Sequence, residues 1–574
     1  MKVANMKIPF SYYGSYLVIS PIHRKGSDQT KLFIRHIRGG DERDSSLFAI
    51  EMLRGEESIH YDVEMEPHLL SLIATDGSGD SIKCCFSSNS TIRIKGNRVG
   101  LKLTAITGAY DYALLFPDST WEINSFIQKR RFRLIPLEGS LLVDAPFEVD
   151  KSKHIFAYCK PDMMTEEFDL AITEYNLVFK KESNLSLSFK ENVLQAEKEF
   201  KDWKEGMLKI PDAYNNGFDM ASYITWSCVV KPDGLLTRPA MYMSKNWMTN
   251  IWSWDHCFNA MALIDNNPEL AWDQFCIFFD QQDRSGALPD FLNDQGALWN
   301  CCKPPIHGWA LKWMMERTTY IDNERLVEVY EPLKRWTNWW FYHRDDDQDG
   351  VCQYNHGNDS GWDNSTVFAK GIPVETPDLS AFLIIQMDVL QKIAKQLGKA
   401  KEALEWEHRA DATFSAMMEH FWTENGFRAC LSTSHETIKS DSLLLYIPLI
   451  LGERLTNEQR NILLTNLLTK NEFKTDHGFA TESVTSDYYR DDGYWRGPIW
   501  APSTMLLIDG LLACGERDLA IKIAEAFCQM ANQSGMAENF NAMTGEGLRD
   551  PAFTWTSSVF LIAGSLINKE CVTK

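Results

Sequence analysis

Residues 375–397, ETPDLSAFLIIQMDVLQKIAKQL, decide how the larger part of this chain folds. Thr376-Pro377-Asp378 reads as a helix start. A proline in the first turn gives up an N–H that has no partner there, and the acid next to it faces the positive end of the helix dipole. From Ala381 to Leu390 the residues are apolar on more than one face, where a surface helix would keep a polar side. Such a helix must be covered by neighbours in its own layer and by a second layer outside it. SLLLYIPLIL at 442–451 has the same character.

Working outward, helical periods fall near 212–230, 254–266, 268–282, 306–319, 324–343, 377–397, 400–422, 439–452, 456–468, 499–514, 516–533 and 554–567. Twelve such segments suit an α-solenoid or a closed double ring, the (α/α)6 barrel. No internal repeat with a period of about 34 or 40 residues is visible, which disfavours the solenoid. The first part reads differently. Runs such as KLFIRHIRG, SIHYDVEME, STIRIKG, VGLKLTAI and NLVFKK mix β-branched and aromatic residues in rough alternation, broken by Gly, Asp, Asn and Ser. Of 19 tryptophans only Trp121 precedes residue 200, so the two parts also differ in composition. The expected fold is therefore mainly α: an antiparallel β-sandwich over 1–185, a charged linker helix over 186–208 and an (α/α)6 catalytic barrel over 209–574.

The formal charge of −21 and a pI near 5.1 argue against nucleic acid or an anionic membrane as partner. No apolar run approaches the about 18 residues of a membrane span. The first twenty residues lack the continuous apolar segment of a secretory signal, so a cytoplasmic protein is expected. Thirteen cysteines, an odd number with adjacent pairs at 84–85 and 301–302, suggest buried thiols and not a disulfide framework.

The stretches between helices carry the chemistry. MYMSKNWMTNIWSWD, DRSGALPDFLNDQGALWNCCKPP, DDDQDGVCQYNHGNDSGWDNST and SDYYRDDGYWRGP are long and rich in Trp, Asp, Asn, Gly and Pro. Long irregular loops of that kind are uncommon unless they serve a function. Aromatic rings cover the C–H faces of a sugar while Asp, Asn, Glu, Arg and His bond its hydroxyls. Cleaving a glycosidic bond commonly needs two carboxyl groups, one a protonated acid and the other a base or nucleophile on the opposite face. Asp359 and Asp363 are candidate acids; Glu538, Glu546, Glu375 and Asp492 are candidate bases. Composition does not choose among them.

WSWDHCFNAMAL, GALPDF, KPPIHGWAL, GNDSGWDNST, ETPDLSAFLI, GYWRGPIWAPSTMLL and AENFNAMTGEG, in this order, resemble glycoside hydrolase family 63. Family 37 trehalases are similar but more distant. The resemblance covers about residues 200–570. It implies an inverting exo-acting α-glycosidase on a short oligosaccharide or small glycoside, with bacterial relatives acting on mannosyl- or glucosylglycerate. It makes Asp363 the general acid and Glu538 the general base, about 6.5–9.5 Å apart. Burial against Trp362 should keep Asp363 protonated, while Asn539 and Asn541 would hold Glu538 ionised. By the same resemblance Trp252, Trp254 and Asp255 form the wall and floor of the terminal-sugar subsite, with Trp495 and Arg496 opposite. From loop composition, Trp362, Trp500 and His307 are further candidate substrate contacts, with a structural hydrogen-bonding role as the alternative for His307. Two positions depart from the family: Lys303 stands where Gln is frequent, and Ala542 where Pro is common. Lys303 reads as a solvated loop lysine, with contact to an anionic aglycone such as glycerate as the alternative.

Asp345, Asp347 and Asp349 precede Gly350 at alternate positions, like the start of a calcium loop, but the twelfth position is His356 and excludes a complete EF-hand. A partial, structural calcium site is an option there; the acid–base hydrolysis itself requires no cofactor. Phosphate-loop, dinucleotide and serine-hydrolase motifs are absent. The rivals are a polysaccharide lyase or epimerase on an α/α toroid, and a non-catalytic sugar binder.

Overall fold

A computed structural model describes residues 6–22, 31–41, 45–470 and 473–573; the opening residues 1–5 of the stretch read for a leader lie outside them. The chain divides into two compact units. One contains residues up to Glu205 together with Ser222–Lys231 and Ser244–Thr249, and the other contains Gly206–Ala221, Pro232–Met243 and residues from Asn250 onward.

In the first unit the alternating runs form two antiparallel sheets, each of eight strands among the described residues. One runs in the order Phe10–Ser11, Leu17–Ile22, Lys31–His36, Ser46–Arg54, Gly100–Ala105, Phe156–Lys160, Ser140–Asp144, with Glu57–Ile59 paired to Ser46–Arg54. The other runs Tyr112–Leu115, Trp121–Ser125, Arg130–Glu138, Glu167–Tyr175, Thr91–Asn97, Ser81–Ser88, Leu69–Ala74, Tyr61–Glu66. Their inner faces meet. Phe48 of one sheet lies edge-on to Phe132 of the other with ring centroids 6.2 Å apart, and His36 Nε2 stands 2.6 Å from the Glu174 carboxylate. NLVFKK is not a strand. Pairing ends at Tyr175, Leu177 and Val178 are exposed, and only Phe179 turns back to pack beside Ile135, Ala171 and Leu185. An apolar triplet without a partner strand leaves its backbone to water, which ladder formation would otherwise satisfy.

The α-helices are α1 (Phe189–Glu205), α2 (Asn215–Ser227), α3 (Asp255–Leu263), α4 (Pro268–Asp280), α5 (His307–Met315), α6 (Asn323–His343), α7 (Pro377–Gln396), α8 (Ala400–Phe421), α9 (Asn457–Thr465), α10 (Ala501–Ala513), α11 (Arg517–Ser534) and α12 (Thr554–Thr573). The charged helix α1, read as a linker over 186–208, lies inside the first unit. Helix starts follow local chemistry: α4 and α7 have proline in the first turn, and Thr456 and Gln459 form a capping box at α9.

In the second unit, α3 packs on α5, α5 on α7, and α7 on the segment Leu443–Arg454. That segment packs on α10, α10 on α12, and α12 again on α3. These six are buried along most of their lengths, α7 on nearly every face of its first four turns, as its sequence requires. α4, α6, α8, α9 and α11 lie against them and keep exposed faces. Leu443–Arg454 differs from expectation: it is a 3-10 helix, not an α-helix. Pro448 interrupts α-type hydrogen bonding, and Gly452 breaks the run at φ 53°. A Cβ at Gly452 would meet the Ala513 carbonyl at 3.0 Å, so the close approach to α10 also demands glycine.

Candidate active site

Four motif loops of the second unit are joined by specific bonds. Ile251–Trp252 pairs with Phe291–Leu292, and the Ser253 N–H donates to the Asp290 carbonyl at 2.9 Å, which sets Asp255 as the first residue of α3. Gly357–Ser360 is a 3-10 turn closed by Gly361 in the left-handed region at φ 73°. A Cβ on Gly357 would fall 2.0 Å from the Asp363 carbonyl, and one on Gly361 would fall 2.6 Å from the Trp254 ring. The G-N-D-S-G spacing is therefore what brings Trp362 and Asp363 against the W-S-W-D loop. Asn364 clamps the next loop. Its amide donates to the Gly493 carbonyl at 3.0 Å, and its oxygen accepts from the Trp495 N–H at 2.9 Å.

Beneath these loops lies a stack of indoles. Trp495 stacks on Trp500 with centroids 4.1 Å apart and planes within 7°; Trp362 lies 4.8 Å from Trp495, and Trp254 6.1 Å. Trp555 adds edge contacts to Trp254 and Trp500 and donates its N–H to the Glu538 carbonyl at 3.1 Å. The Glu538 N–H donates to the Asp550 carbonyl at 2.7 Å, and the next two residues pair with Ile499–Trp500. The backbone of Glu538 is thus fixed beside Trp555 and next to the strand that ends at Trp500.

The same groups are electrostatically coupled. Burial pushes the Asp363 carboxyl upward, opposed by the Lys303 ammonium and by a hydrogen bond from Tyr494. Burial raises Glu538 to about 7, helped by the charges of Asp550 and Asp363 and opposed by Arg549. Tyr494, at φ 63°, is itself pushed up by burial and by the charges of Asp363, Glu538 and Asp255. Its ring therefore stands within electrostatic reach of all three carboxyls. Asp255 is buried and raised well above the usual range, with Lys303 opposing.

The other candidate carboxylates are occupied or elsewhere. Asp359 accepts backbone N–H groups from Cys302 and Asn355, each at 3.1 Å. Glu375 faces His420, while Asp492 and Glu546 are exposed, Asp492 paired with Arg549. Several expectations need correction. Trp254, Trp362, Trp495 and Trp500 are buried and touch one another, whereas Trp252, Tyr494 and Arg496 keep more accessible surface. His307 is fully buried between His256, Phe279 and Trp336, and neither ring nitrogen has a hydrogen-bond partner among the described residues, so it does not present itself to a substrate. The first turn of α5 points it into an apolar layer. Asn539 and Asn541 do not hold Glu538. The Asn539 side chain has no hydrogen-bond partner among the described residues, and the Asn541 oxygen accepts from the N–H groups of Met543 and Thr544. Lys303 is not solvated: it is buried and 3.0 Å from Asp290.

With this geometry in hand, comparison with known proteins gives one decisive match: residues 248–556 fit the model of the mannosylglycerate hydrolase MGH1-like glycoside hydrolase domain. The chain belongs to this family. It is a glycoside hydrolase of the family 63 type. Mannosylglycerate hydrolase of Rubrobacter radiotolerans is 20% identical over 434 residues, spanning 58% of this chain and 97% of that protein. The family 63 mannosylglycerate hydrolase of Thermus thermophilus, solved with Tris, shares the fold at TM-score 0.53 and 18% identity, covering 59% of this chain and 98% of that one. A bacterial glucoamylase solved with acarbose has TM-score 0.60 at 11% identity, covering 99% of this chain and 94% of that chain, which extends the fold likeness to the sheet-rich part. In this glycoside hydrolase, Tyr494 lies in a loop whose composition already suits a sugar, whereas sequence reading missed Asp290, Arg549, Asp550 and Trp555. Of those four, Asp290 had a signal, since it sits inside the quoted GALPDF motif.

Proposed function

We propose that Asp363 is the general acid and Glu538 the general base of an inverting, exo-acting glycosidase, and that the closed ring of six inner helices with its outer layer is an (α/α)6 barrel. The preferred substrates are small α-hexosides: hexosylglycerates, as in the named relatives, and α-glucosyl disaccharides. The observation that carries the reading is the shared electrostatic environment of Asp363, Glu538 and Tyr494, in which Glu538 feels Asp363 and Tyr494 feels both. Tyr494 reaches Asp363 by a hydrogen bond and feels Glu538, as a group bordering both sides of a scissile bond would. Release of hexose from mannosylglycerate, glucosylglycerate and α-linked disaccharides tests the substrate class. Turnover of at least one is expected, and absorbance from an unsaturated product in its place would identify a lyase.

The base must be ionised to activate water. With Glu538 raised to about 7, kcat/KM of the free enzyme should fall as pH drops through about 7. A stability change goes with it. The native carboxyl binds its proton more tightly than the unfolded one, whose ordinary value is 4.5, so stability falls as pH rises between 4.5 and about 7. Glu538→Gln removes this, so its melting temperature relative to wild type should climb across that interval. A constant difference from pH 4.5 to 8 would contradict the raised value.

A structural cation belongs to the same reading. Carboxylate oxygens of Asp345, Asp347 and Asp349 lie within 4.8 Å of one another, and so do ligand atoms of Asp349, Glu375, His420 and His435. Glu375 is fully buried, its carboxylate oxygens lack a well-aligned hydrogen bond, and it faces His420 Nε2 at 2.7 Å. Two imidazoles beside carboxylates suit zinc or manganese better than calcium, which takes oxygen ligands. After chelation, zinc or manganese should raise the melting temperature, and His420→Ala should abolish that rise. A rise with calcium alone would restore the calcium reading, and none with any ion would remove the site.

A further inference from the structure

We infer that Lys303 is a positioning residue: a buried cation that locks the Asp363 loop to the Asp290 loop and leaves no donor for an anionic aglycone. An ammonium carries three N–H donors and no more. Lys303 Nζ lies 3.0 Å from Asp290 Oδ1, 2.8 Å from the Asn358 carbonyl and 2.7 Å from Asn358 Oδ1. All three donors are used inside the protein, and the side chain is only 5% exposed. A glycerate carboxylate could bind it only by breaking one of these bonds.

Each acceptor belongs to the catalytic framework. Asp290 holds Ser253, and hence Asp255, through its own backbone carbonyl. Asn358 lies in the 3-10 turn that leads through Gly361 and Trp362 to Asp363, and its amide also donates to Asp290 Oδ1 at 3.3 Å. One residue before Lys303, the Cys302 N–H donates to Asp359 Oδ1, so residues 302–303 are fastened to 358–359 at two points. Around the ammonium stand the carboxyls of Asp290, Asp255 and Asp363 and the thiols of Cys301 and Cys302. Buried charges must be paired, and here one cation is shared among three acids. Its presence opposes the upward push of burial on each acid. A neutral glutamine, frequent at this place in the family, could replace some of the bonds but none of the charge.

This inference rests on Asp363 being the acid, and the experiment separates the two. Lys303→Gln, Lys303→Met/Asp290→Asn and Asp363→Asn are assayed on a neutral α-glucoside and on a hexosylglycerate across pH, with melting curves alongside. The double variant removes both charges of the pair and so keeps the fold testable. In both Lys303 variants kcat should fall by about 10²-fold on both substrates, since a small misplacement of a reacting group costs that much. KM should hold. In Lys303→Gln the alkaline limb should move to higher pH, because Asp363 keeps its proton longer without the ammonium. A rise in KM confined to the hexosylglycerate would make Lys303 an aglycone receptor and overturn the inference. Full recovery of kcat in the double variant would reduce Lys303 to a counter-ion for Asp290 and overturn it too. If Asp363→Asn keeps wild-type turnover, the catalytic assignment fails and this inference with it. If Asp363→Asn is inactive while Lys303→Gln matches wild type, only this inference fails.

Discussion

Asp363→Asn and Glu538→Gln should each lower kcat by about 10²–10⁴-fold, the usual contribution of a positioned acid or base. Both replacements keep size and most hydrogen bonding, so melting temperatures should stay near wild type at low pH, where both carboxyls are protonated. In Asp363→Asn the new amide oxygen could still accept from the Tyr494 hydroxyl, which bonds the present carboxyl. The amide could not give a proton to a departing oxygen. Glu538→Gln would keep the backbone links to Asp550 and Trp555, which do not involve the side chain at that position. The two variants should part on activated substrates. A glycoside with a good leaving group needs little protonation, so it should recover turnover in Asp363→Asn but not in Glu538→Gln. Equal losses on both substrates would argue that the two carboxyls do not hold distinct roles.

Trp495→Ala should be the most damaging change to stability, at about 3–5 kcal/mol for emptying a buried aromatic site. The ring is 1% exposed, stacks on Trp500 and touches Trp362 and Trp254, so its loss opens a cavity between three other indoles. Its neighbours cannot collapse freely, because Asn364 and Gly361 hold the loops from which they come. The urea midpoint should fall at constant slope, and turnover should be lost even where the variant is folded. Trp299→Ala is the control: that ring is 49% exposed, and its removal should change stability by less than about 0.5 kcal/mol. A Trp495→Ala protein as stable as the control would mean that the stack is not what holds the loops.

The helices were legible because burial on all sides leaves a mark in composition, as in Ala381–Leu390, and because starts such as Thr376-Pro377 are local chemistry. Leu443–Arg454 was read as an ordinary helix because apolar periodicity is blind to the backbone consequences of Pro448 and Gly452. The site loops were recognisable from their Trp, Asp and Gly content, and the candidate pair came from resemblance to a family. The remaining placements depend on tertiary contacts that no local pattern reports. Lys303 looks solvated until its acceptors are found at Asp290 and Asn358, the second 55 positions away. His307 sits in a polar-looking loop yet begins α5 facing phenylalanines and histidine. Trp254, Trp362, Trp495 and Trp500 come from loops whose composition suits a sugar, and they also touch one another. Aromatic content marks such a site without telling which rings meet the ligand and which hold the rings that do.

In the proposed mechanism Glu538 activates a water which attacks the anomeric carbon while Asp363 protonates the leaving oxygen. The configuration of the first sugar released, followed by NMR before mutarotation, tests it most directly. From an α-hexoside, wild type should release the β-anomer first, and Asp363→Asn and Glu538→Gln should give no early product. Release of the α-anomer would show that the configuration is retained, and would contradict the roles given to both carboxyls.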